Sequence, residues 1–278
     1  MSKKPTLASL DKRQTALECK VDEVLDILKN LNAKPVISTG VAIINIKTRK
    51  NTGEVLDVKT QTVTDKFGNV YTKLPVIFIK VDETNIQVSL KEIDGFTKIE
   101  PQLVSTYKNS IGSDGLIHSI KGVAPDFNQI SFNKSTKFFA GVGAEHLSWL
   151  TLFAYQLLVL SSSIADKVLS IKKAEEYDWN SDRGTAFKDT HDNGYLGISQ
   201  LFDAGRSFFS CDKKHPLFKV FASLNGQTVP SADKFFGLVG SWGECSNPLF
   251  DYGWIDSFDD HWDDNSSARL CKPFEKGC

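Results

Sequence analysis

A heptad seam between Leu7 and Leu31 constrains this chain most, because apolar residues at alternating spacings of three and four must be buried against another helix. With Leu7 at position a, Gln14, Val21 and Leu28 follow at a, while Leu10, Leu17, Val24 and Leu31 fall at d. Asp11 and Glu18 occupy e, and Arg13 and Lys20 occupy g, so Arg13 can meet Glu18 of a neighbouring chain. Gln14 in the seam costs stability and fixes register. The competing reading is an amphipathic helix packed on its own domain; the unbroken alternation and charged flanks favour the coil. Proline at Ala33-Lys34-Pro35 removes a backbone donor and restricts its predecessor, which sets residues 1–34 as an oligomerisation helix. Mixed Val and Leu at a leave two and three strands open. A coil leading into β-rich and globular regions favours a homotrimer.

The pattern after Val36 is strand-like. VAIINI (41–46), EVLDV (54–58), KLPVIFIKV (73–81) and NIQVSL (85–90) are rich in β-branched residues, and Asp65-Lys66-Phe67-Gly68-Asn69 reads as a turn with Gly68 or Asn69 at positive φ. Gly112-Ser113-Asp114-Gly115 and Gly122 mark further turns, followed by a strand-like stretch around 130–139. Residues 35–140 are thus expected to form a small antiparallel β collar. A long helix is expected over about Ala144 to Ala174, and the Gly-, Asn- and Asp-rich sequence beyond Tyr177 completes a loop-rich α+β domain over 141–278. The expected class is α+β.

Several function classes recede on composition. A formal net charge of -1 gives no overall positive field for nucleic acid. Leu147 to Ala165 is apolar enough to suggest a membrane span, but Gln156 and the run Ser161-Ser162-Ser163 interrupt it, so a buried core helix and no membrane insertion are expected. The N-terminus carries no apolar segment of a secretory signal, which points to folding in a cytoplasm. Cys19, Cys211, Cys245, Cys271 and Cys278 form no CxxC pair and are expected as free thiols; the four later ones could bridge in an oxidising medium. There is no HExxH, GxSxG, P-loop or GxGxxG, and the five histidines are scattered, so no enzyme is expected. His146 and His261 read as structural.

Two segments carry candidate chemistry. Asp178, Asn180 and Asp182 place oxygen ligands at alternate positions, with Asp189 twelfth in the series, as in a calcium loop; Gly184 falls one place late for an EF-hand. Calcium is therefore the one cofactor to consider, with none as the base expectation. The stretch Asp251 to Asp264 holds six aspartates, two tryptophans and one tyrosine with no lysine or arginine. Rings that stack on sugar faces beside carboxylates that accept hydroxyl hydrogen bonds suit a glycan, and the same charge suits a basic protein. The alternative is a solvated acidic loop whose tryptophans enter the core.

Three local features carry a family resemblance: the aromatic helix Leu147 to Leu160, the segment Tyr195-Leu196-Gly197-Ile198, and the closing run Ser267-Ala268-Arg269-Leu270-Cys271-Lys272-Pro273. In this order they resemble the C-type-lectin-like domains that end some bacteriophage fibre proteins, over about residues 140–275. The coil and collar resemble a trimeric virion fibre. The resemblance implies a virion protein made in the host cytoplasm that displays a receptor-binding domain in several copies. Its partners would be itself, other virion proteins and a host-surface glycan or protein. Its binding face would lie in the loops before the last strand, on Trp242, Trp254, Asp256, Asp259, Asp260 and Trp262. The competing readings are a purely structural virion component (head fibre or connector), a polysaccharide-degrading trimer, and a cellular adaptor with a coiled-coil tag.

Overall fold

Where β-branched residues alternate with polar ones after residue 40, the chain folds as strands: β1 (Val41–Asn45), β2 (Gln61–Thr64), β3 (Val70–Lys73), β4 (Ile77–Val81), β5 (Asn85–Ser89), β6 (Thr97–Ile99) and β7 (Leu103–Ser105). The computed structural model describes residues 39–107, 109–121, 132–169, 196–198, 206–229, 234–239, 252–255, 266–267 and 270–273. The heptad seam lies outside them. The turn read at 65–69 joins β2 to β3 with Gly68 at φ +80°, which a residue with a Cβ rarely adopts. Pro75 sits between β3 and β4, where KLPVIFIKV divides into two strands. Glu54–Val58, expected as a strand, joins no sheet; Leu56 N–H donates instead to the Ser161 carbonyl at 2.7 Å. A small hairpin of β8 (Ser110–Ile111) and β9 (Ile117–His118) turns at Gly115, φ +73°.

Two expectations are overturned in the middle of the chain. The stretch taken as a strand around 130–139 is helix α1 (Phe132–Gly141). Its buried positions Ser135 and Phe139, with Val142 one residue past its end, recur at spacings of four and three, which is a helical period. The helix expected from Ala144 to Ala174 is broken into three elements: β10 (Glu145–Ser148), α2 (Trp149–Ser161) and α3 (Ala165–Leu169). Gly143, at φ +65°, ends α1 and its N–H donates to the Ala140 carbonyl at 3.1 Å, so no helix continues through Ala144. Ser148 then caps α2 by accepting the Thr151 N–H at 3.2 Å. The serine run ends it, with Ser162 in an extended conformation and its hydroxyl donating to the Val159 carbonyl at 2.8 Å.

The remaining elements are β11 (Arg206–Asp212), α4 (Phe218–Leu224), β12 (Lys234–Val239), β13 (Tyr252–Ile255), β14 (Ser266–Ser267) and β15 (Leu270–Lys272). Among the described residues a four-stranded antiparallel sheet runs β1-β5-β4-β6. A larger sheet runs β13-β12-β11-β10-β15-β7-β3-β2, with β14 parallel to β11 beside it. Strands from 35–140 and from 141–278 thus share one sheet, and Gly40–Cys278 forms one compact α+β unit. The expected boundary at 140 divides nothing.

Helix α2 is buried on every side except Leu150, because it packs with the small sheet through Ile44, Ile79 and Val88 and with the large sheet through Leu147, Phe209 and Cys271. An all-round apolar helix belongs in a core of this kind. Trp149, Phe153, Phe209, Phe218 and Phe221 meet edge-on or tilted at centroid distances of 5.2 to 6.1 Å across the Trp149–Phe218, Trp149–Phe221, Phe153–Phe221, Phe209–Phe221 and Phe218–Phe221 pairs. A second, smaller cluster of Tyr71, Ile117, Phe139, Val142 and Ala144 gathers beneath α1 and the β8–β9 hairpin. Truncating Phe153→Ala removes a ring buried among three elements and should cost about 3–5 kcal/mol, read as a lowered urea midpoint with unchanged m.

Candidate functional site

Of the segment expected to bind a ligand, Tyr252–Ile255 are described and form a strand at one end of the large sheet. β13 is its outermost described strand on that side, paired antiparallel with β12 as Phe236↔Ile255, Gly237↔Trp254, Leu238↔Gly253 and Val239↔Tyr252. β12 pairs in turn with β11, placing Gly237 beside Phe209, and β11 pairs with β10, placing Phe209 beside Leu147. Trp254 therefore occupies the cross-strand row of Leu147 and Phe209, both of which are buried against the core. Of the six residues expected to bind, only Trp254 falls within the described residues, where its backbone pairs with Gly237. Trp242, Asp256, Asp259, Asp260 and Trp262 lie outside the described residues. The chain leaves β13 at Ile255 and re-enters the sheet at Ser266, on the opposite side of β11 from β12. Asp178, Asn180, Asp182 and Asp189, the expected calcium ligands, also lie outside the described residues, as do the seam residues Leu7, Leu10, Gln14, Leu17, Val21, Val24, Leu28 and Leu31. Among the described residues no group of three or more His, Cys, Asp or Glu side chains comes together as a metal ion would need.

The strongest electrostatic cluster was not visible in the sequence. Asp65 opens the β2–β3 turn, where one carboxylate oxygen accepts the N–H groups of Phe67 (2.9 Å) and Asn69 (3.0 Å). The other accepts the Tyr71 hydroxyl at 3.2 Å and the Lys272 ammonium at 2.6 Å. Both members of the ion pair are largely covered, with side-chain exposures of 19% for Lys272 and 14% for Asp65. The ammonium also lies 5.2 Å from the Tyr71 ring centre and 5.9 Å from that of Phe67. Burial pushes the Asp65 carboxyl up, but the Lys272 hydrogen bond, the Asn69 and Phe67 N–H groups and the Lys272 charge outweigh it and hold it below its ordinary value. Burial first, and then the Asp65 charge and hydrogen bond, push the Tyr71 phenol far up, so it stays a protonated donor. Local pattern marks a turn at 65–69 but gives no sign of a partner 207 residues away.

Two of the described histidines are hydrogen-bonded to other side chains. His146, expected to be structural, is buried on β10 with Nε2 3.0 Å from Ser135 Oγ and 3.2 Å from Thr136 Oγ1, tying the strand to α1. His118 Nε2 lies 3.0 Å from each carboxylate oxygen of Asp114 across the β8–β9 turn. The Leu116 N–H, and then the His118 hydrogen bond, hold the Asp114 carboxyl below its ordinary value. A carboxylate–imidazole pair can orient a general base, but here it closes a hairpin of two short strands, and Gly112 packs so closely on the His118 ring that a Cβ there would lie 2.5 Å from it. Both pairs hold elements together.

Comparison with known proteins brings no relative to bear on this geometry: no family model, no curated protein and no solved structure matches the chain.

Because the folded Asp65 carboxyl titrates below its unfolded value, the stability it contributes is complete above about pH 4 and is lost as pH falls through the folded value. Asp65→Asn should lower stability at pH 7 by about 3 kcal/mol, since it strips a covered ammonium of its counter-charge. The loss relative to the parent should shrink below about pH 4, as thermal melts from pH 7 down to pH 3 would record. A constant difference over that range would contradict the assignment.

Proposed function

We propose that this chain is an attachment protein of a bacteriophage particle, a homotrimeric fibre whose compact α+β unit presents a C-type-lectin-like binding segment to a host-surface glycan or basic protein. The observation that carries the reading is the pairing of a four-heptad seam at one end with an aspartate- and tryptophan-rich segment, Asp251 to Asp264, at the other. A seam that gathers copies and a segment suited to weak polar recognition belong together, because three weak sites on one particle gain strength through effective concentration.

Two structural facts support this arrangement. Tyr252–Ile255 of the aspartate- and tryptophan-rich segment form β13, and the chain rejoins the same sheet at β14. The described polar clusters at Asp65, His118 and His146 serve turns and element contacts. Tryptophan and aspartate side chains suit stacking on sugar rings and acceptance of hydroxyl hydrogen bonds. Calcium at Asp178, Asn180, Asp182 and Asp189 would belong to the same reading as an optional support of the head.

The first measurement is solution mass, for the intact chain and for one lacking residues 1–34. A trimer that falls to monomer on truncation supports the coil; a monomer in both cases removes the foundation of the proposal. The truncated form should also bind host cells about 10²–10⁴-fold more weakly, the span over which linked sites gain avidity. Trp262→Ala and Trp242→Ala in the intact trimer should abolish cell and glycan binding while the mass is unchanged. Trp254→Ala is read together with its melting temperature, since Trp254 shares a row with core residues. A trimer that binds neither glycan nor cell, with or without these substitutions, assigns the chain to the internal structure of a particle instead.

A further inference from the structure

β15 holds an unusual position for a three-residue strand. It pairs antiparallel with β10 on one side, as Glu145↔Cys271 and His146↔Leu270, and with β7 on the other, as Cys271↔Val104 and Lys272↔Leu103. In the described sheet β10 and β7 do not pair with each other, so β15 is the strand through which the β13–β10 half and the β7–β2 half are joined. The residues it contributes are spent on both faces. Cys271 is fully buried in the main core with Leu147 and Val104. Lys272, one residue on, points to the opposite face and ends on Asp65 between the Tyr71 and Phe67 rings.

A ladder this short has few backbone hydrogen bonds to fix its register, so side chains must do so. A slip of one residue would exchange the faces, driving the Lys272 ammonium into the main core. A slip of two would keep the faces but move the ammonium about 7 Å along the strand. Asp65 would then be covered with no counter-charge, facing Leu270 or Phe274 in place of the lysine. The ion pair therefore penalises the one slip that hydrophobic pattern alone would tolerate.

We propose that β15 is the closing strand of this fold: the two halves of the large sheet join only when it docks between β10 and β7, and the Lys272–Asp65 pair selects the register in which it docks. Closure is then an all-or-none event coupled to formation of the core around α2, and the strand has no independent opening motion.

The thiol of Cys271 provides the probe in the full-length chain. With Cys19, Cys211, Cys245 and Cys278 replaced by serine, labelling of the remaining thiol by a small disulfide reagent is followed through a urea titration beside tryptophan fluorescence. Labelling should stay at least about a hundredfold slower than in the unfolded chain until the global transition, and then rise with it. Labelling well before the fluorescence change would overturn the closing role, because the halves would then hold together without the strand. Register is read separately by adding Val104→Cys, which stands directly opposite Cys271 at a spacing that suits a disulfide. Mild oxidation should cross-link nearly all of the chain, and further adding Lys272→Met should cut the cross-linked fraction at least about threefold in molecules that remain folded by fluorescence. Full cross-linking in the Lys272→Met chain would show that something other than the ion pair sets the register.

Discussion

A helix with no polar face must be surrounded, and α2 imposes that demand on everything around it. One sheet can cover one side of a helix; α2 needs cover on more than one, and residues of both the small and the large sheet, Ile44 and Phe209 among them, join it in the main core. The demand extends to its polar atoms. Gln156 lies fully inside the core, and its amide is matched reciprocally with Asn225, donating at 2.8 Å and accepting at 3.2 Å. Asn225 in turn donates to the Phe221 carbonyl at 2.7 Å, so the pair also ends α4. An apolar residue at 156 would leave the Asn225 amide buried and short of a partner, which costs more than the hydrogen bond itself contributes. The amide pair fixes how α4 sits on α2, and α4 brings Phe218 and Phe221 into the aromatic cluster.

Around β3, β7 and β15 the large sheet packs on both faces, and alternation along these strands assigns the two roles. Tyr71 and Thr72 are adjacent in β3 and both buried, yet they serve different environments. Tyr71 packs in the smaller cluster with Phe139 and Ile117, while the Thr72 hydroxyl bonds to Thr106 at 2.9 Å and donates to the Gly197 carbonyl. Gly197, at φ +73°, brings its backbone close over β3, where a Cβ would approach Thr60 Oγ1 to 3.1 Å. The neighbouring Ile198 then reaches the main core. A segment 125 residues away in sequence is thereby pinned to β3 by one hydroxyl and one glycine.

How much of this was legible in the sequence follows from the range of each interaction. β1, β5 and the Gly68 turn were readable because alternation and a required positive φ are local properties. The break at Ser161-Ser162-Ser163 was visible as polarity inside an apolar run, but it was read as a flaw in one long helix instead of as its end. The start is hidden for a related reason: Gly143 and Ser148 are a stop and a cap five residues apart, and the four-residue β10 runs up to and includes the cap. The helical period of α1 becomes apparent only when Ser135 is counted with the buried positions. The domain boundary failed for a reason no local pattern contains. A collar and a head separated at 140 would each need a closed core, and the strand that closes the sheet of the first comes from the far end of the second.

The same long-range closure bears on where a binding site can be built. Asp65, Tyr71 and Lys272 look in isolation like a small reactive constellation, with a carboxylate, a phenol and an amine within hydrogen-bond reach. Their burial and mutual satisfaction make them a joint between β3 and β15, and a joint cannot exchange its partners for a ligand without opening the sheet. A binding site of the kind we propose would draw on residues that the packing does not need, and the connections on either side of β13 begin at the sheet's outermost described strand. The core holds the two ends of those connections at fixed places, Val239 and Tyr252 for one, Ile255 and Ser266 for the other. Fixed ends reduce the entropy a loop loses when it closes on a ligand. In the trimer we propose, that saving would be repeated at each site engaged.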